Sequence, residues 1–273
     1  MKKLPYRVID VFTDELFGGN PAGVCLLDQW LPDDMLQNIA QENNLSETAF
    51  LLRQDGYYDL RWFTPTIEID LCGHATMASA YVLFDEIEQA AHTLKFKTLS
   101  GILTVTKENG LLCLDFPAWQ AAPCPTHETL EKALGVKPVG VYKSSDFLVH
   151  VQDEQTLRSI QPDFALLMQL KAEAELTHDM FGIIVTAKGD ACDFVSRFFA
   201  PNAGIDEDPV TGRAHCTLTP FWSQRLSKQA MAARQLSKRG GVLHCEHHGG
   251  ERVKICGKAV RYLKGEIELE VPA

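Results

Sequence analysis

Glu47 stands where a polar loop, Asn43-Asn-Leu-Ser-Glu47, turns into an apolar strand, Thr48-Ala-Phe-Leu-Leu52. Shielded there by Leu45, Ala49 and Phe50, its carboxylate is expected to lose solvation and gain proton affinity, as a general acid/base requires. Gly73 and Gly212 each open a helix of small residues, Ala75 to Phe84 and Ala214 to Trp222. A helix start exposes about four unbonded N–H groups and roughly half a positive charge, so two such starts facing inward would hold a carboxylate or oxyanion. The plainer reading is that Glu47 is a solvated surface residue and that the glycines only permit tight turns before core helices.

The two helix openings belong to a repeat. Arg61, Phe63, Pro65, Ile69 and Asp70 recur 136 residues later as Arg197, Phe199, Pro201, Ile205 and Asp206. After three inserted residues, Gly73 and Ala75 recur as Gly212 and Ala214. Each copy reads as a strand ending at proline, a polar turn, and a central helix. Gly110, Leu114, Pro117 and Ala118 are echoed by Gly265, Leu269, Pro272 and Ala273, so both halves close alike. The expected division is therefore 1–118 and 119–273, with Trp119 to Pro125 as a proline-bearing linker.

At 273 residues the chain has ample core for two lobes. Its formal charge of −10, with no basic stripe, argues against nucleic acid and acidic membrane surfaces as partners. The N-terminus lacks a signal-peptide apolar run and no stretch is long enough to span a bilayer, which points to the cytoplasm. Eight cysteines without a CxxC pair read as reduced thiols, most of them packing residues.

Strands are expected at Arg7 to Phe12, Val24 to Leu27 and Tyr58 to Phe63, with an amphipathic helix at Asp33 to Gln41. Gly101 to Thr106 and Gly110 to Ala118 should form a hairpin through Asn109-Gly110. In the second half the pattern predicts a short helix at Thr129 to Leu134, strands at Val139 to Tyr142 and Phe147 to Val151, a helix at Phe164 to Ala174, and strands at Phe181 to Thr186 and Asp193 to Phe199. The loop Gly18-Gly-Asn20 matches neither a Walker sequence nor a dinucleotide fingerprint. Its glycines either bring backbone N–H groups to a ligand, with Asn20 adding an amide, or simply serve a hairpin. His244-Cys-Glu-His-His-Gly-Gly250 invites a metal, but no second Cys/His pair lies at finger-like distance, so no metal site is expected.

Five motifs in order now carry a resemblance: Asn20-Pro21 after two glycines, Leu45-Ser-Glu-Thr-Ala-Phe50, Phe63-Thr-Pro65, Cys72-Gly-His-Ala-Thr76 and Asp208-Pro-Val-Thr-Gly212. Together they resemble the PhzF family of phenazine-biosynthesis-like proteins. The resemblance implies an α+β fold of the diaminopimelate epimerase type: two pseudo-symmetric lobes, each a mostly antiparallel sheet or barrel around a central helix, with the site in the cleft between them and the last strand open to exchange between lobes. It implies a cytoplasmic homodimer and a biosynthetic isomerase without cofactor. Glu47 then matches the catalytic acid/base. Asn20, His74 and Asp208 become substrate contacts, and Gly73 and Gly212 the backbone receivers of a substrate carboxylate.

Two departures qualify this. Epimerases of the fold use a cysteine from each lobe, whereas here Cys72 is matched by Thr211, whose hydroxyl is too weak an acid and base for two-base racemisation. Arg213 replaces a small hydroxyl residue and either clamps a second acidic group of a different substrate or pairs with Asp208 or Glu207 and narrows the pocket. The expected activity is therefore a proton shift on a small carboxylate-bearing substrate. The alternatives are an epimerase or racemase using Cys72 and a carboxylate-binding protein that has lost its chemistry.

Overall fold

The computed structural model describes residues 2–173 and 182–269. The chain divides into two compact units, residues 1–115 with 255–273, and residues 116–254. The first crossing comes after residue 115, and 255–273, which carries the last strand left open to exchange, belongs to the first unit. The reason is the last strand, which pairs antiparallel with the first along its whole length, Lys2 opposite Leu269 and Val11 opposite Ala259.

In the first unit β1 (Lys2–Val11) pairs antiparallel with β2 (Asn20–Leu27). Helix α1 (Asp33–Asn43) leads to β3 (Glu47–Arg53), which lies parallel to β2 and antiparallel to β4 (Tyr58–Phe63). The short β5 (Glu68–Ile69) folds back on β4 and feeds α2 (Gly73–Glu86). Then β6 (Thr93–Thr98) runs parallel to β4, followed by the antiparallel β7 (Gly101–Glu108) and β8 (Leu111–Pro117). Asn109 and Gly110 both take positive φ in the connecting turn, the conformation the Asn-Gly pair was expected to adopt.

The second unit repeats the scheme. It contains β9 (Ala122–Pro123), α3 (Glu128–Leu134), β10 (Gly140–Lys143), β11 (Phe147–His150), α4 (Glu154–Ser159), α5 (Phe164–Glu173), β12 (Ile183–Lys188), β13 (Phe194–Phe199), α6 (Gly212–Leu226), β14 (Ala230–Gln235) and β15 (Gly241–Glu246). From β10 to β15 the pairings run antiparallel, parallel, antiparallel, parallel, antiparallel. That is also the order from β1 through β2, β3, β4 and β6 to β7. The chain then returns through β16 (Arg252–Gly257) to the closing strand β17 (Ala259–Leu269). Ala174, Phe181 and residues 270–273, which the sequence reading assigned to elements, lie outside the described residues, as does Met1.

Helix α2 is buried almost all round, from His74 to Ala80 and again from Val82 to Phe84, as expected of a helix made of small and apolar residues. It packs on β1, β2 and β3, while α1 covers the other side of β3 and β4. Glu47 to Leu51 are therefore buried on both faces of the strand. Helix α6 has Pro220 in its interior. A proline there cannot donate to the carbonyl four residues back, and the amide of Trp119 takes that place, donating to the Cys216 carbonyl at 2.9 Å. Trp119, read from sequence as linker, is thus part of the α6 packing.

The repeated arginines have a structural use. Arg61 holds both Glu68 oxygens at 2.7 Å and lies over Phe63, while Arg197 holds Glu207 at 2.7 and 2.9 Å and lies over Phe199. The cysteine expectation needs correction, since Cys113 and Cys256 form a disulfide, with Cα atoms 4.0 Å apart. They are 143 residues apart in sequence, so no local spacing could announce them. The other six cysteines are free. No described helix is long and apolar enough to cross a membrane.

Gly19 has φ 60°, and a Cβ there would lie 2.1 Å from the Val11 carbonyl oxygen. The chain's own close approach demands this glycine. Gly19→Ala should cost at least about 2 kcal/mol, from both strain and clash. Urea unfolding checks this against Gly56→Ala, where the same φ class meets nothing within 4 Å.

Candidate functional site

Glu47 is the first residue of β3, held by its parallel pairing opposite Ala22 of β2. His74 is the second residue of α2, and Cys72 is the residue that caps it. The packing of α2 on β2 and β3 brings these side chains together. His74 Nε2 lies 3.0 Å from Glu47 Oε2, with the two side chains only 7% and 9% exposed. On the other side of the ring, His74 Nδ1 is 3.5 Å from the Cys72 sulfur and 3.5 Å from the Asn20 amide nitrogen. Asn20, at the head of β2, is fully buried.

Burial disfavours a charge on His74, but the acidic groups it meets, the Cys72 sulfur and the Glu47 carboxylate, outweigh burial and carry its proton affinity well above the ordinary imidazole range. Burial pushes the Cys72 thiol up, and Glu47 adds to this while His74 opposes it. Glu47 Oε2 and His74 Nε2 face each other as an ion pair, and neither has a further hydrogen-bond partner among the described residues.

Helix α2 has no side-chain cap and no acidic residue in its first turn. Gly73 does not take positive φ, so its conformation does not explain the glycine. What glycine provides at a helix start is an amide that no side chain covers. The same holds for Gly212 at the start of α6 in the second unit.

There the cap residue is Thr211, whose hydroxyl turns back to donate to the Asp208 carboxylate. Gln235, at the end of β14 and 1% exposed, locks this loop. Its carbonyl accepts from the Thr211 amide at 2.9 Å, and its amide nitrogen donates to the Asp208 carbonyl at 2.8 Å and to Thr211 Oγ1 at 3.1 Å. Glu207 is taken by Arg197, and Arg213 donates instead to buried Asp146 at 3.0 Å, with its guanidinium over Trp119. Asp146 also receives the Gly182 amide at 2.9 Å. Gln235 and Asp146 were invisible in the sequence because they lie 24 and 67 residues from the groups they hold.

With these arrangements in view, likeness to other proteins acquires meaning. The profile of the PhzC-PhzF family, described as phenazine biosynthesis-like protein, matches residues 9–265. The chain belongs to this family. It is 50% identical over 261 residues to an uncharacterized isomerase of Pseudomonas aeruginosa, covering 96% of this chain and 97% of the relative. A crystal structure of a PhzF family protein from Enterococcus faecalis matches with a TM-score of 0.92 at 47% identity, over 98% of this chain and all of that one. A hydroxyproline epimerase of Agrobacterium vitis, 11% identical, matches with a TM-score of 0.61 over 100% of this chain and 94% of its own, a likeness of fold alone. The α+β epimerase-like fold of the PhzF proteins is therefore that of this chain.

Among the expected site residues, Glu47, His74 and Asn20 meet in the first unit of this PhzF family member, next to the helix that Gly73 opens. Asp208, Gly212 and Arg213 meet around the start of α6 in the second. The histidine-rich segment expected to hold no metal has its own hydrogen bonds: His247 Nε2 contacts the Gly250 carbonyl at 3.0 Å, and His248 Nδ1 contacts Gln229 at 3.3 Å. Among the described residues, Glu47, Cys72 and His74 form a buried group whose carboxylate, thiol and imidazole atoms lie within 4.8 Å of one another.

Two buried histidines should give opposite pH signatures. His74, with its raised folded-state affinity, stabilises the fold fully below the ordinary imidazole range, and this contribution fades as pH rises through its own elevated value. His215 donates from Nδ1 to the Thr211 carbonyl at 2.8 Å and is held down to about 4 by complete burial, against an ordinary 6.5. The folded state therefore resists its protonation. Stability is lost as pH falls from 6.5 toward 4, by on the order of 3 kcal/mol. In urea titrations between pH 7 and 4, His215→Gln should lose less stability than the parent by about that amount.

Proposed function

We propose that this PhzF family member is an isomerase that moves a proton on a small carboxylate-bearing substrate without a cofactor, with Glu47 as its single acid/base. The observation that carries the reading is the buried Glu47 carboxylate, 3.0 Å from an imidazole rooted in the first turn of α2. As a carboxylate beside this ring, Glu47 can accept a proton from an activated carbon. The carboxyl so formed returns the proton to a different carbon, and the open start of α2 stabilises the enolate-like charge in between. Asn20 and His74 contact the substrate beside Glu47, and the Gly73 amide receives an anionic group. In the second unit the Gly212 amide, the Arg213 side chain and Asp208 contact the substrate as well. Because Arg213 is anchored by Asp146, its charge is partly spent within the protein.

Relatives named isomerases support the reaction class. The epimerase alternative needs Cys72 as a base, and its thiol is held protonated by burial. Cys72→Ser should therefore retain most activity.

A panel of small cyclic and amino-acid carboxylates incubated in D2O with the protein tests the assignment by mass spectrometry. Wild type should incorporate solvent deuterium into a substrate. Glu47→Gln should lower that rate about 10²–10⁴-fold while leaving the melting temperature near the parent's. An active Glu47→Gln protein removes Glu47 from the role, and an inactive Cys72→Ser protein revives the epimerase.

A further inference from the structure

Trp62, on β4, is 1% exposed, and its indole N–H has no hydrogen-bond partner among the described residues. Buried indoles ordinarily find one. Trp222, also buried, donates to the Thr186 hydroxyl at 2.8 Å. The strand register fixes which way Trp62 faces. It stands opposite Ala49, and Ala49 follows Glu47 by two residues, so Trp62 and Glu47 share one face of the sheet. Their neighbours Phe50 and Phe63 turn the other way, into the cluster formed with Leu36 and Ile39 of α1. The face that carries Trp62 is therefore the one on which α2 packs against β3, with His74 in its first turn. Diagonal neighbours across an antiparallel pair lie about 7–8 Å apart, within reach of an aromatic side chain, and Glu47 and Trp62 stand in that relation.

The duplication supplies a control. At the equivalent position, 136 residues on, stands Phe198, a buried ring of similar shape with nothing to donate. The scaffold thus accepts a phenyl ring there, while the first unit keeps an indole whose N–H goes unpaired at a cost to the fold. Packing does not account for that donor. We infer that the Trp62 indole N–H donates to an anionic oxygen of the substrate beside Glu47 and so determines what the first-unit site accepts. This rests on the proton-shift reading above. An indole N–H only donates, so it takes a carboxylate or enolate oxygen and rejects an ammonium group. A contact made alike to bound substrate and transition state acts on KM rather than kcat.

The test is an NMR titration of the isotope-labelled full chain with benzoate, cyclohexanecarboxylate and L-proline, following the assigned Trp62 indole proton and the Gly73 amide. Both signals should move and saturate with a ligand, in wild type and in Glu47→Gln alike. In the deuterium-exchange assay Trp62→Phe should raise KM about 10–100-fold with kcat little changed, and its melting temperature should stay near the parent's. A Gly73 amide that moves while the Trp62 indole stays overturns the inference and leaves the proton-shift reading standing. A folded Trp62→Phe protein with the parent's KM overturns it too. If Trp62→Phe does not fold, the titration decides, and neither signal moving with any of the three probes counts against the inference whatever the exchange assay shows. Movement of the indole together with full activity in Glu47→Gln keeps the Trp62 contact and discards only the assigned acid/base.

Discussion

The contact on which the candidate site depends is the one between the Glu47 carboxylate and the His74 imidazole. A carboxylate with 9% side-chain exposure is costly to keep charged unless something compensates. The compensation comes from a ring fixed in the first turn of a helix that is buried almost all round. Both residues are buried on packed elements, with α1 and α2 each contacting β3. Each partner thus offsets the other's burial at a 3.0 Å contact.

The second unit solves a related problem differently. At the start of α6 no imidazole meets a glutamate. Instead Thr211 turns its hydroxyl away from the helix toward Asp208, and Gln235 satisfies both ends of the loop with one side chain. The helix start is thereby left uncapped while the loop before it is rigid. Arg213 is held off by Asp146 and Trp119, so its guanidinium is oriented before any ligand arrives. Preorganised donors of this kind contribute more than mobile ones, because ordering them costs nothing at the moment of binding.

The duplication shows which parts of the repeat serve folding and which serve chemistry. Both copies keep the arginine that grips a glutamate and covers a phenylalanine ring, and both keep the glycine that opens the central helix. The copies diverge at the residues around those glycines, Cys72 and His74 against Thr211 and Arg213. At the next equivalent pair, Thr76 and His215, the two side chains still reach the same carbonyl, four residues back. Conserved scaffold around changed side chains is how one supersecondary unit comes to carry two different half-functions.

What the residues alone determined is largely what short range and periodicity can encode. The repeat, the helix openings at Gly73 and Gly212, the strand beginning at Glu47 and the Asn109-Gly110 turn all follow from neighbours within a few positions. Their signal is local backbone chemistry and apolar spacing. The motif order also carried the identity of the family and the residues worth watching. Tertiary structure decided everything that depends on distant groups meeting. It set Asp146 against Arg213, placed Gln235 under the Asp208 loop, supplied Trp119 to the carbonyl freed by Pro220, bridged Cys113 to Cys256, and returned the last strand to the first unit. Such contacts join side chains tens to hundreds of residues apart, and no spacing rule reaches so far. Their partners are selected by which elements pack together, a property of the whole chain rather than of any stretch of it.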